Sequence, residues 1–132
     1  MPEVRDYYGK VFKNGSGVFL ARLVGPNGEL LLPSDVASIA YSIALLDPRD
    51  PDSRTPVAGH QQVAVPAAGV LLDMLQHDAA WTRDSVGYNF RHEIDVSQHE
   101  AFAAAGRSYL LTYTITPSAG QRVLMRFRVQ AI

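Results

Sequence analysis

The sequence predicts a small all-β sandwich, and three observations carry that expectation. Two runs near its end alternate apolar and polar residues with period two and fit one hairpin register. Further β-rich runs recur between turn clusters roughly every 8 to 14 residues. No segment sustains a 3.6-residue period long enough to supply the helix of a parallel crossover.

In chain order, Met1 to Lys13 places Tyr7, Tyr8, Val11 and Phe12 among charges, and is expected to be a first edge strand or an arm laid on a neighbour; residues 14–132 form one domain. Val18 to Val24 is a β-rich run ending in the turn cluster Gly25-Pro26-Asn27-Gly28, with Glu29 to Leu32 as a short return. Ser38 to Leu46 alternates Ile39, Tyr41, Ile43 and Leu45 against Ser38, Ala40, Ser42 and Ala44, as a half-buried strand does. Asp47 to Pro56 (DPRDPDSRTP) is too polar and too rich in proline for a regular element, and reads as an exposed loop.

Gln61 to Val65 reads as a short strand, and Val70 to Leu75 as a strand or one helical turn. Within Trp81 to Asp95, the residues Tyr88, Phe90, His92 and Ile94 share one parity, which predicts a strand with Trp81 packed nearby. Ser97 to Ala105 is the best helical candidate, stopped at Gly106 after one or two turns at most.

The closing hairpin is the clearest element. Tyr109, Leu111, Tyr113 and Ile115 alternate with polar residues; after Pro117-Ser118-Ala119-Gly120-Gln121, Val123, Met125, Phe127 and Val129 alternate with Arg122, Arg126, Arg128 and Gln130. Pairing Thr116 with Arg122 sets Ile115 beside Val123, Tyr113 beside Met125, Leu111 beside Phe127 and Tyr109 beside Val129. A slip of one residue would bury the arginines. About seven or eight short strands then form a sandwich rather than an open barrel, because the inward positions are bulky and leave no ligand-lined interior.

Composition narrows function by exclusion. A chain of 132 residues with 47% apolar content builds one core. Lys plus Arg number 12 against 13 for Asp plus Glu, so no general field draws it to nucleic acid or an anionic membrane, and neither is an expected partner. The absence of cysteine removes disulfides, thiolate metal sites and a Cys nucleophile. No run reaches the length of a signal sequence core or a membrane span, so the chain is expected in a cytoplasm or in a particle.

The histidines His60, His77, His92 and His99, with Glu93, Asp95 and Glu100 close by, form no HExxH, HxH or i, i+4 pair on a helix, and read as surface polar residues, with His92 partly buried. Asp47, Asp50 and Asp52 lack the turning glycine and closing glutamate of a calcium loop. Nucleophile-elbow, P-loop and dinucleotide patterns are missing, so no catalytic residue, cofactor or metal is assigned.

Two surfaces remain. The outward side of the terminal hairpin carries Arg122, Arg126 and Arg128 beside Thr112, Thr114 and Thr116, a row suited to acidic partners, although such faces also simply keep a sheet soluble. Outward Ala40, Ala44 and Leu46 are small and apolar for a solvent face, which favours contact with another subunit.

The stretches VFLARLVGPNGELL, DVASIAYSIALLD, DSVGYNFRHEID and AGRSYLLTYTITPSAGQRVLMRFRV together resemble small immunoglobulin-like proteins of phage and prophage structural gene clusters. The resemblance covers about Val18 to Val129. It implies an immunoglobulin-like layout and a head decoration, head-tail or tail accessory protein that binds copies of itself or other particle proteins, located in the virion or, during assembly, in the bacterial cytoplasm, without a cofactor. Gly106 followed by Tyr109 resembles the lead-in of a tyrosine corner, with Asp84 and Gly87-Tyr88 as a competing one. A non-enzymatic structural or assembly module is the expected function. The alternative is a carbohydrate- or surface-binding module presenting Trp81, Tyr88 and the Asp47 to Pro56 loop.

Overall fold

A computed structural model describes residues 3–11, 15, 17–24, 29–50, 53–76, 87–118 and 122–132. Strands dominate: β1 (Glu3–Val11), β2 (Val18–Ala21), β3 (Val36–Leu46), β4 (Arg54–Pro56), β5 (Val63–Val65), β6 (Leu71–Gln76), β7 (Tyr88–Glu93), β8 (Ser108–Pro117) and β9 (Val123–Ala131). Among the described residues the helical content is one turn, α1 (Ala67–Val70), and a 3-10 turn at Pro33–Asp35. Among the described residues no helix is long and apolar enough to cross a membrane.

These strands form an all-β sandwich of two sheets. The larger runs β1-β9-β8-β3, with β4 and β5 both paired to the far side of β3; the smaller is β2-β7-β6. All pairings are antiparallel except β1 with β9, which is parallel and sets Glu3 opposite Val123 and Val11 opposite Ala131.

The β8–β9 register is the one the alternation predicts: Tyr109 faces Val129, Leu111 faces Phe127, Tyr113 faces Met125 and Ile115 faces Val123. All eight are buried. Burial of such side chains stabilises by about 1.5–3 kcal/mol each, against about 0.2–1 kcal/mol for a cross-strand pair on the wet face, so the inner face decides the register. The sheets lock through edge-to-face aromatics. Phe19 of β2 meets Phe127 of β9 at 5.0 Å, Phe90 of β7 meets Tyr113 of β8 at 5.1 Å, and Tyr113 meets Phe127 at 5.7 Å.

Several expectations need correction. The Asp47 to Pro56 segment is not loop throughout, because Arg54–Pro56 returns as β4 against Ala44–Leu46. Proline is tolerated there because β4 lies at an edge, where an N–H is not required. Ser97 to Ala105 is not a helix but a chain of bends. So short a helix is marginal alone, and the segment is held by Ala101 and Phe102, which both insert into the core. Val70 to Leu75 divides between the two readings, Val70 closing α1 and Leu71 opening β6. β3 starts two residues early, at Val36, and a register shift between Val36 and Ser38 lets both Val36 and Ile39 point inward.

One buried polar residue had no counterpart in the sequence reading. Asn89 of β7 is fully buried; its Oδ1 accepts from the Leu23 N–H at 2.6 Å, and its Nδ2 donates to the Leu23 and Leu31 carbonyls at 3.0 and 3.1 Å. The side chain thus completes the hydrogen bonding of the narrow Leu23–Leu31 connection, whose own ladder is one Val24–Leu30 bridge and a Leu31-to-Leu23 bond.

Candidate docking face

The outer face of the larger sheet is ordered in rows across its strands. One row sets Ser42 of β3, Thr112 of β8 and Arg126 of β9 side by side; the next sets Ala40, Thr114 and Leu124; a third sets Ala44, Leu110 and Arg128. Of the predicted Arg and Thr set, Thr112 lies beside Arg126, Thr114 lies beside Leu124, and Arg128 stands in the row of Leu110. Thr112, Thr114, Thr116 and Arg126 are half-buried, whereas Arg122 and Arg128 are exposed. The parallel register adds Asp6 opposite Arg126 and Tyr8 opposite Arg128 at the sheet edge.

The apolar patch predicted beside it is smaller than expected. Ala40 and Ala44 are half-buried on the outer face, but Leu46 is only 4% exposed. Inward and outward positions cease to alternate at Leu45–Leu46, where the Arg107 Nη2–H donates to the Leu46 carbonyl at 3.0 Å and the chain turns into Asp47. Leu110, in the same row as Ala44, is also buried. The outer face thus divides into an open half of Ala, Ser and Thr and a covered half around Leu46 and Leu110.

Tyr109 takes the corner position that its spacing from Gly106 predicts. Its hydroxyl accepts from the Ala104 N–H at 2.9 Å, and its ring packs edge-on to Phe102 at 5.4 Å. Of the competing corner, Asp84 lies outside the described residues. Tyr88 is buried, which removes it as a platform for a sugar ring, and Trp81 lies outside the described residues.

The histidines are internal fittings more than a surface cluster. His60 is buried; its Nε2–H donates to the His99 carbonyl at 2.7 Å, so its Nδ1 in the neutral ring accepts from the Tyr41 hydroxyl at 2.8 Å. His92 pairs through Nδ1 with the Tyr113 hydroxyl at 2.7 Å, and burial lowers its pKa to about 4. Burial likewise raises Tyr113, helped by the neighbouring Tyr41, and raises Tyr41 itself, helped by Asp95. His99 is exposed, and His77 lies outside the described residues.

Among the described residues no three His, Asp or Glu side chains gather to hold a metal ion. Asp47 Oδ1 accepts from the Arg49 N–H at 2.8 Å, closing its own turn, and Asp52 is outside the described residues. Asp95 accepts from both the N–H and the hydroxyl of Ser97, which holds its carboxyl below the usual range.

Compared with protein-family models, curated proteins and solved structures, the chain matches none. Function must therefore be argued from the face itself. A flat sheet surface of small side chains, edged by arginines, offers area and charge for protein contact.

Proposed function

We propose that the protein is a non-enzymatic assembly module of immunoglobulin-like layout, a structural component of a phage or prophage particle that works by binding other copies of itself or other particle proteins. The observation that carries the layout is strand order. The sequence β9-β8-β3-β4 corresponds to G-F-C-C′ of a variable-type sheet and β2-β7-β6 to B-E-D, with Tyr109 near the start of the F-equivalent strand bonding back to Ala104. What favours contact as the function is the outer face of β3, β8 and β9, where Ala40, Ala44, Thr112 and Thr114 leave a surface that another sheet can approach closely.

The resemblance of the four sequence stretches from Val18 to Val129 is what supports the particle setting, in the virion or, during assembly, in the bacterial cytoplasm. Size-exclusion chromatography with light scattering, followed by microscopy for rings, shells or filaments, tests the reading. A defined assembly, or retention of particle proteins, is the expected result. A strictly monomeric species at high concentration with no affinity for particle proteins overturns it.

A further inference from the structure

Where the end of β3 meets the lead-in to β8, a cavity of about 180 Å3 opens among Leu46, Asp47, Pro48, Arg107, Ser108 and Arg128. Two arginines and one aspartate are among the residues that line it, and the aspartate's Oδ1 is engaged with its own turn through the Arg49 N–H. Arg107 is held from behind. Its Nη2 is fixed on the Leu46 carbonyl, and its main chain is tied to the end of β9 by the Gly106 N–H to the Ala131 carbonyl (2.7 Å) and the Ala131 N–H to the Arg107 carbonyl (3.0 Å). The Nε of the same guanidinium is buried without an acceptor. Arg128 is exposed on the neighbouring strand. One guanidinium held in place by the fold, beside a second, exposed arginine, is pre-ordered for an anion.

Size and shape select which anion. Sugars, nucleotides and similar ligands occupy pockets of about 300–1,000 Å3, so this one admits a single side chain. Planar guanidinium groups match the two oxygens of a carboxylate, while Leu46 and Pro48 offer apolar wall to a methylene stem. We propose that this pocket receives one Asp or Glu side chain presented by a partner protein. That the source is a protein rests on the assembly reading above; the carboxylate chemistry does not.

The test is titration of the 15N-labelled protein with N-acetyl-glutamate N-methylamide, with the corresponding capped glutamine and inorganic phosphate as comparison probes, and with light scattering on the same samples. The capped glutamate is expected to shift the Arg107 and Ser108 amides selectively. Arg128→Ala should weaken that binding about tenfold or more, Arg107→Lys should weaken it with the fold intact, and Arg122→Ala, outside the pocket, should leave it unchanged. An equal response to capped glutamine or to phosphate, or a response that survives Arg128→Ala, overturns the proposal. Assembly in a chain with no glutamate response overturns the pocket and leaves the assembly reading standing. A glutamate response in a chain that never assembles upholds the carboxylate chemistry and overturns a partner protein as its source.

Discussion

The Tyr109 hydroxyl accepts a hydrogen bond from the Ala104 N–H across 2.9 Å, so the first inward side chain of β8 fastens the connection that leads into it. That segment has no helix of its own, and this bond joins the buried Ala101 and Phe102 and the Gly106–Ala131 and Ala131–Arg107 bonds in holding it. Tyr109→Phe keeps the ring against Phe102 and removes only the acceptor. It should lower stability by about 1–2 kcal/mol, read as a drop in the urea midpoint with unchanged slope.

Asn89→Leu should be more severe. It removes three hydrogen bonds inside the core and strips the Leu23 N–H and the Leu31 carbonyl of their Asn89 partner, while the Leu23 carbonyl keeps the Leu31 N–H. At about 1–3 kcal/mol for each buried group left unsatisfied, a loss of about 3 kcal/mol or more is expected by chemical denaturation. A loss under about 1 kcal/mol would show that water replaces the amide there.

Stability should fall with pH in a window set by His92. The folded ring takes a proton only near pH 4, whereas an unfolded histidine takes one near 6.5. Between these values the unfolded state binds more protons, so the contribution is fully present above about 6.5 and is lost progressively down to about 4. Partial access of the ring to water limits the effect to about 1–2 kcal/mol. His92→Gln should flatten that part of the stability profile. The Asp95 contribution should vanish only below the ordinary carboxylate range, because its pKa is depressed by Ser97, and so remains separable.

Gly59→Ala should destabilise by about 1–3 kcal/mol. Gly59 has φ +83°, and a Cβ there would run into the ring of His99, whose carbonyl receives the His60 proton. Thermal unfolding of the variant beside Gly69→Ala, where a Cβ meets nothing, separates the local clash from a general loss of backbone freedom.

Reversing Arg122, Arg126 and Arg128 to Glu should leave circular dichroism and thermal unfolding nearly unchanged, since none of the three is buried. Assembly measured by light scattering should be lost. If it survives, the row is a solvated face and nothing more.

The sequence made the fold legible wherever one face of a strand is buried and the other wet. The β8–β9 register could be placed to the residue because most inward side chains have an outward Thr or Arg beside them, and the same alternation located most of β3 and β7. It failed where alternation did not decide burial. Leu46 and Leu110 occupy outward positions yet are buried, and Asn89 is a polar residue whose partners, Leu23 and Leu31, are far away in sequence. It also failed at Ser97 to Ala105, where alanines imitate helix propensity while Phe102 is claimed by the core. The Arg row was visible as a list of residues; its junction with Arg107 and Leu46 was not, because it depends on the end of β3 lying beside the start of β8.

The parallel pairing of β1 with β9 joins the earliest and latest strands of this chain. Closing so long a loop costs more entropy than closing a hairpin, by about 0.6 kcal/mol for each doubling of length, and contacts so distant in sequence form slowly. During synthesis β1 is made before β9 and cannot pair until β9 follows, so this edge of the larger sheet closes late. Until then the free side of β9 is a ready template for a strand from another molecule, which makes the timing of that closure a determinant of whether newly made chains stay separate.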